Sequence, residues 1–255
     1  MSSGHRSRSH LVVLLASWAI IAGAPLGFPS ARAGDDVPHS RESVEAIVRD
    51  YILKHPEVIE EALRMGEIRR EAEEKEETRR HIIAAREELL GDPATPVGGN
   101  PTGSVSIVEF FDYGCPHCKR VAPSVKAMVQ RDPSVRVVYK ELPILGPQSV
   151  LGARAALAAH AQGRYVAFHE ELMASPGPPT MERILHIAAK VGLDGERLEQ
   201  DMESPAIRDA LRRNHALATR LGIQGTPAFV GGKELVPGEL DYHGLEALVE
   251  RTRGD

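Results

Sequence analysis

The stretch "FFDYGCPHCKR", Phe110 to Arg120, holds both cysteines of a 255-residue chain, three positions apart with Pro116 and His117 between them. Just upstream, "SVSIVEFFD" is rich in β-branched and aromatic residues over the length of one strand, which predicts a buried strand ending shortly before Cys115. Downstream, a helix is expected from Pro116 to about Gln130, followed by the strand "VRVVYKE", Val135 to Glu141. Strand, helix and parallel strand make a βαβ unit. The fold class is therefore α/β, with the cysteine pair at a strand-to-helix turn.

That position suits a reactive sulfur. At the start of a helix, unpaired backbone N–H groups and the helix dipole favour negative charge. Cys115 is expected to have its pKa lowered from the free value of about 8.5 into the range of roughly 3.5 to 7.5. Pro116 in the first turn removes no hydrogen bond, and His117 can add positive charge or donate to sulfur. Cys118, one turn on and more enclosed, can form a disulfide with Cys115 and acts as the resolving thiol. A c-type haem would need histidine where Lys119 stands, and structural zinc would need four ligands. An inert disulfide at this spacing closes too small a loop to stabilise much. A copper-binding protein, with copper(I) between the two thiolates, or a holdase is the alternative of another class, although the lack of a Met-rich or His-rich tract argues against a dedicated copper carrier. The reading is redox chemistry by the pair itself, without metal or cofactor.

The N-terminus sets the compartment. Arg6 and Arg8 precede an uncharged run from Leu11 to Pro29, then Ala31-Arg32-Ala33 offers a small-x-small cleavage pattern. Residues 1–33 are read as a secretory signal. A membrane anchor would want roughly 20 strongly apolar residues, and this run thins into Gly23, Pro25, Gly27 and Pro29. Cleavage removes three arginines and takes the formal charge from -5 to -8, an unfavourable sign for nucleic acid. In an oxidising compartment, a chain relying on disulfides for stability would carry more than one pair.

Between the signal and the catalytic stretch, Val44, Ile47, Val48, Tyr51 and Ile52 recur at the spacing of one helical face. Pro56 breaks this helix and opens a second, with Val58, Ile59, Ala62 and Leu63 on one side. Next comes "EIRREAEEKEETRRH", whose alternating charges make a solvated helical spacer. Short helices cannot bury an apolar face alone, so residues 40–65 are expected to associate with other copies of the chain, and docking back onto the main domain is the alternative. Residues 34–90 are thus a helical oligomerisation stalk. The segment "GDPATPVGGNPTG", Gly91 to Gly103, is read as a linker, and the catalytic domain as residues 104–255.

Within that domain, five helical segments bounded by Gly, Pro or Ser fill about residues 147–221. A hairpin around "AFVGG" and "KELVPG" and a last helix from Asp241 to Arg253 complete it. Gly225-Thr226-Pro227 stands just before the first late strand. By base rate, an X-Pro bond there is trans.

Taken together, "VEFFDYGCPHC", the helical insertion and the late Gly-Thr-Pro resemble the DsbA family of thioredoxin-fold thiol-disulfide oxidoreductases. The resemblance implies a cis Pro227 at the active site and a Thr226 whose backbone pairs with a substrate strand. It also makes Glu109 the family's buried acid, which tunes the pKa of the site or moves protons. On the residues alone, Glu109 reads more simply as a solvent-facing strand position. The segment "ESVEAIVRDYILKHPEVIEEAL" is similar to the helical extension of the suppressor-of-copper-sensitivity protein C group, which includes trimeric disulfide isomerases. Pro-His between the cysteines is instead typical of the oxidase DsbA. The implied function is a periplasmic disulfide oxidoreductase with isomerase activity preferred, acting on thiols and disulfides of secreted proteins and served by a membrane redox partner. A monomeric oxidase is the alternative.

Overall fold

The computed structural model describes residues 40–254. The expected signal sequence, residues 1–33, lies outside the described residues. The chain divides into two compact units, one ending at Ile59 and one beginning at Glu60.

In the first unit, helix α1 (Arg41–Lys54) is capped by Ser40, whose hydroxyl accepts the Ser43 amide at 3.2 Å. It stops before Pro56 because the residue ahead of a proline is driven out of helical geometry. None of its residues is buried. Of the apolar face read in the sequence, Val44, Ile47, Val48 and Tyr51 are 47 to 57% exposed and Ile52 is half-buried.

The following helix, α2 (Glu57–Ala84), runs unbroken through Gly66. One glycine costs a helix only about 1 kcal/mol, and i,i+3 pairs such as Arg64 with Glu61 and Arg79 with Glu76 support the flanks. The second unit continues with α3 (Arg86–Leu90), β1 (Val97–Gly99), β2 (Val105–Phe111), α4 (Pro116–Arg131) and β3 (Val135–Glu141). Five helices then follow: α5 (Pro147–Ala161), α6 (Tyr165–Ala174), α7 (Met181–Lys190), α8 (Gly195–Met202) and α9 (Pro205–Arg220). Strands β4 (Ala228–Gly231) and β5 (Glu234–Pro237) and helix α10 (Tyr242–Arg253) end the chain.

The strands form one sheet in the order β1-β3-β2-β4-β5. The β2–β3 pair is parallel, joined through α4, and the other pairs are antiparallel. Helices cover both faces, which is why β2 and β3 read as nearly continuous apolar runs. Ile107, Phe111, Val135 and Val137 pack toward α4, α10 and the helical insertion. Val108, Phe110 and Val138 pack on the other face against Leu217 and Leu221, and against Ile82, Ala85 and Leu89.

Those last three residues correct two boundaries. The stalk expected over residues 34–90 does not run to 90, because Ile82, Ala85 and Leu89 are core residues of the catalytic unit. Residues 91–103 are not a free linker either, since they contain β1, which pairs with β3 at Val97↔Val138 and Gly99↔Arg136. The glycines that suggested a linker are required by packing. A Cβ at Gly98 would come within 2.8 Å of the Tyr139 ring, and Gly99 has φ +74° with the Val135 carbonyl 2.7 Å from where its Cβ would sit.

Candidate active site

The site is assembled where β2 ends and α4 begins. Asp112, buried, shapes the turn between them. Its carboxylate accepts the amides of Gly114 at 2.6 Å, Ile144 at 2.8 Å and Leu145 at 3.0 Å, and its carbonyl accepts the Cys115 amide at 3.0 Å. Gly114 is needed here because a Cβ would meet the Ser149 hydroxyl at 2.6 Å. The chain thus enters α4 with Cys115 as its N-cap residue and Pro116 in the first turn.

The two sulfurs are unpaired thiols in this structure. Cys115 is 3% exposed and Cys118 not exposed at all. The Cys115 thiol donates to the carbonyl of Thr226 at 3.2 Å, across 111 residues of sequence, and the Thr226–Pro227 bond is cis. Burial pushes the Cys118 thiol far up, which keeps it protonated. An open groove of about 370 Å³ flanks Pro227, lined by Gly222 to Ala228 with Leu235, Pro237 and Gly238.

Glu109 sits on β2 between Tyr139 of β3 and Phe229 of β4, on the face that packs toward α4. It is buried, not solvent-facing as its strand position alone suggests, and one carboxyl oxygen has no hydrogen-bond partner. Desolvation pushes its pKa up to about 8, so it is largely a neutral acid at pH 7. Glu109 makes no hydrogen bond to either sulfur.

Several residues of the site had no signal in the sequence. Lys119 donates to the carbonyls of Leu172 at 3.3 Å and Ser175 at 2.6 Å, fastening α4 to the end of α6. Tyr113, just ahead of the cysteines, bonds His169 at 2.9 Å, and Tyr165 donates to Glu141 at 2.7 Å. Burial raises the Glu141 carboxyl well above its usual range and lowers His169 to about 3, so both are neutral. His117 points outward, where its Nδ1 meets the carboxylate of Glu239 and lies 2.7 Å from Arg120. Only tertiary proximity reveals these partners. Asp112 could have been suspected, because an Asp two residues ahead of a glycine is a common turn former.

Comparison with known proteins agrees with this architecture. Residues 106–250 match the model of the DSBA-like thioredoxin domain, and residues 41–73 match that of the copper resistance protein ScsC N-terminal domain. A thioredoxin-like oxidoreductase from Silicibacter pomeroyi DSS-3 is 48% identical, with a TM-score of 0.65 over 67% of this chain and 98% of that one. Proteus mirabilis ScsC in a transitional conformation is 29% identical, with a TM-score of 0.64 over 84% of this chain and 96% of that one. The Na(+)/H(+) antiporter NhaA of Herminiimonas arsenicoxydans is 28% identical over 172 residues, which are 65% of this chain and 27% of the antiporter. The chain therefore spans about a quarter of the length of that curated relative.

Proposed function

Because the chain belongs to the DSBA-like thioredoxin domain family, we propose that it is a periplasmic enzyme exchanging disulfides with secreted proteins, with isomerisation preferred to net oxidation. The observation that carries the proposal is the asymmetry of the pair. Cys115 caps α4 and faces the Thr226 carbonyl beside cis-Pro227, while Cys118 is enclosed and held as a thiol.

In the proposed reaction the Cys115 thiolate attacks one sulfur of a client disulfide, forming a mixed disulfide and releasing the client's other sulfur as a thiolate. A different client thiol then attacks the mixed disulfide, returning Cys115 and leaving the client repaired with no net oxidation. If none does, Cys118 loses its proton and attacks Cys115, expelling a reduced client and leaving the enzyme oxidised by two electrons. A membrane redox partner supplies those electrons. Thr226 offers backbone to a client strand, and the exposed Ile144 and Leu145 on the neighbouring loop offer it apolar contact. Glu109, neutral and buried on the α4 side of the sheet, is assigned the exchange of protons near the sulfurs.

Preference for isomerisation rests on the N-terminal segment. Its exposed apolar side chains, and its match to the ScsC N-terminal domain, support self-association through residues 40–65, which would hold several Cys115 sites around one client at high effective concentration. A second reading, a monomeric oxidase, is favoured by the Cys-Pro-His-Cys sequence itself. Refolding of scrambled ribonuclease, paired with thiol trapping of the enzyme in intact periplasm, separates the two. Isomerase activity with a reduced pair supports the proposal, whereas an oxidised pair with no isomerase activity would establish the oxidase.

A further inference from the structure

Between the start of α4 and the loop after β5 stands a charge cluster that the exchange reaction does not use. Glu239 lies in the connection between β5 and α10, 122 residues from His117 and 119 from Arg120 in sequence. The amide of Gly238, the residue before it, donates to the Pro227 carbonyl at 2.8 Å. The carboxylate is thus placed by the same loops that carry Thr226 and the cis-proline. Arg120 grips both of its oxygens, Nε to Oε2 at 3.1 Å and Nη2 to Oε1 at 2.5 Å. The same Nη2 is 2.7 Å from His117 Nδ1, which also touches Glu239. One ring nitrogen cannot accept from Arg120 and donate to Glu239 at once. With Nδ1 protonated, His117 binds the carboxylate; without that proton it binds the guanidinium.

We infer that Glu239 is a positioning residue that tempers the oxidising strength of the Cys115–Cys118 pair, by neutralising Arg120 and engaging the outward-pointing ring of His117, which lies between the two cysteines in sequence. The inference rests on the exchange reaction proposed above and concerns its direction. Positive charge near Cys115 stabilises its thiolate and so the reduced enzyme, which makes the disulfide a stronger oxidant. Arg120 is close enough to interact electrostatically with Cys115, and the carboxyl of Glu239, held down to about 2 by Arg120 and then His117, stays ionised at any working pH. A Cys-Pro-His-Cys sequence suited to oxidation is in this way restrained from outside the motif.

The test is equilibration of the purified mature protein with glutathione, in which enzyme disulfide plus two glutathione thiols gives enzyme dithiol plus glutathione disulfide. Glu239→Gln is expected to shift this constant about fivefold toward the reduced enzyme, or ~20 mV at 29.6 mV per decade. Glu239→Asp should restore much of the wild-type value, and Arg120→Gln added to Glu239→Gln should bring the constant back toward it. An unchanged constant in Glu239→Gln, a shift toward the disulfide, or an equal shift in the double variant overturns the inference. A wild-type protein that does not equilibrate with glutathione at all overturns instead the exchange reaction on which it rests.

Discussion

Replacing Glu109 by Gln removes a titration from the core while keeping its shape. In the folded chain the carboxyl is buried with one oxygen unpartnered, and its pKa rises from 4.5 to about 8. The folded state therefore holds this proton more tightly than the unfolded chain does. Stability from Glu109 is fully present below pH 4.5, falls as pH rises, and stops falling once pH passes 8. Inside that window each pH unit weakens the fold by about 1.4 kcal/mol, so between pH 5 and pH 7 wild type loses as much as about 3 kcal/mol from this residue. Glu109→Gln loses none of it. Urea unfolding of both proteins, kept reduced, at pH 5, 7 and 8 reads the difference directly. Glu141 and His169 also titrate with folding, but they are common to both proteins and largely cancel. The advantage of the Gln variant should grow with pH across the window. Parallel stability curves would refute the argument and mean that water or an unseen partner reaches the Glu109 carboxyl.

Four variants of the cysteines and of the N-terminal segment have stated outcomes. Cys115→Ser should abolish turnover, while Cys118→Ser should accumulate mixed disulfides with clients, visible on non-reducing gels; equal trapping by the intact pair would reverse the assigned order of attack. Deleting residues 34–70 should give a monomeric protein by light scattering that still exchanges with small thiols but loses scrambled-ribonuclease activity. Deletion through residue 90 should in addition lower stability severely, since losing even one buried leucine side chain costs about 2–5 kcal/mol, and this cut removes Ile82, Ala85 and Leu89 together. A truncation at 90 as stable as the one at 70 would show that these residues do not close the sheet.

The β2–α4–β3 unit was legible because its signals are local: a β-branched run, then 3.6-residue periodicity, then a second β-branched run. The five insertion helices were legible from the Gly, Pro and Ser residues that bound them, and at three of them, α7, α8 and α9, Thr180, Asp194 and Ser204 accept amides at the helix start. Strand β1 was not, because glycine and proline mark a loop in most settings and only the Tyr139 ring shows why Gly98 is needed. Ile82 and Leu89 looked like the tail of a charged helix, for nothing local says that a sheet lies beneath them. In the site, the cysteine quartet and the late Gly-Thr-Pro carry family information within a few residues. Glu239 and the Glu141–Tyr165 pair work through contacts across 24 to 122 residues of chain, which no local pattern encodes.

The two ends of the sheet bear on life among unfolded chains. An exposed strand edge is a template for pairing with any extended segment, and such pairing leads to aggregation. An enzyme whose proposed clients are misfolded meets those segments constantly. Here one edge is a strand of only three residues, Val97–Gly99, two of them closely packed glycines, and the other is four residues long. That second edge carries Glu234, paired with Arg251 at 2.7 Å, and closes on Pro237, which has no amide to offer. Neither gives a client a register to extend, so the flanks of the molecule resist becoming a seed for cross-strand growth.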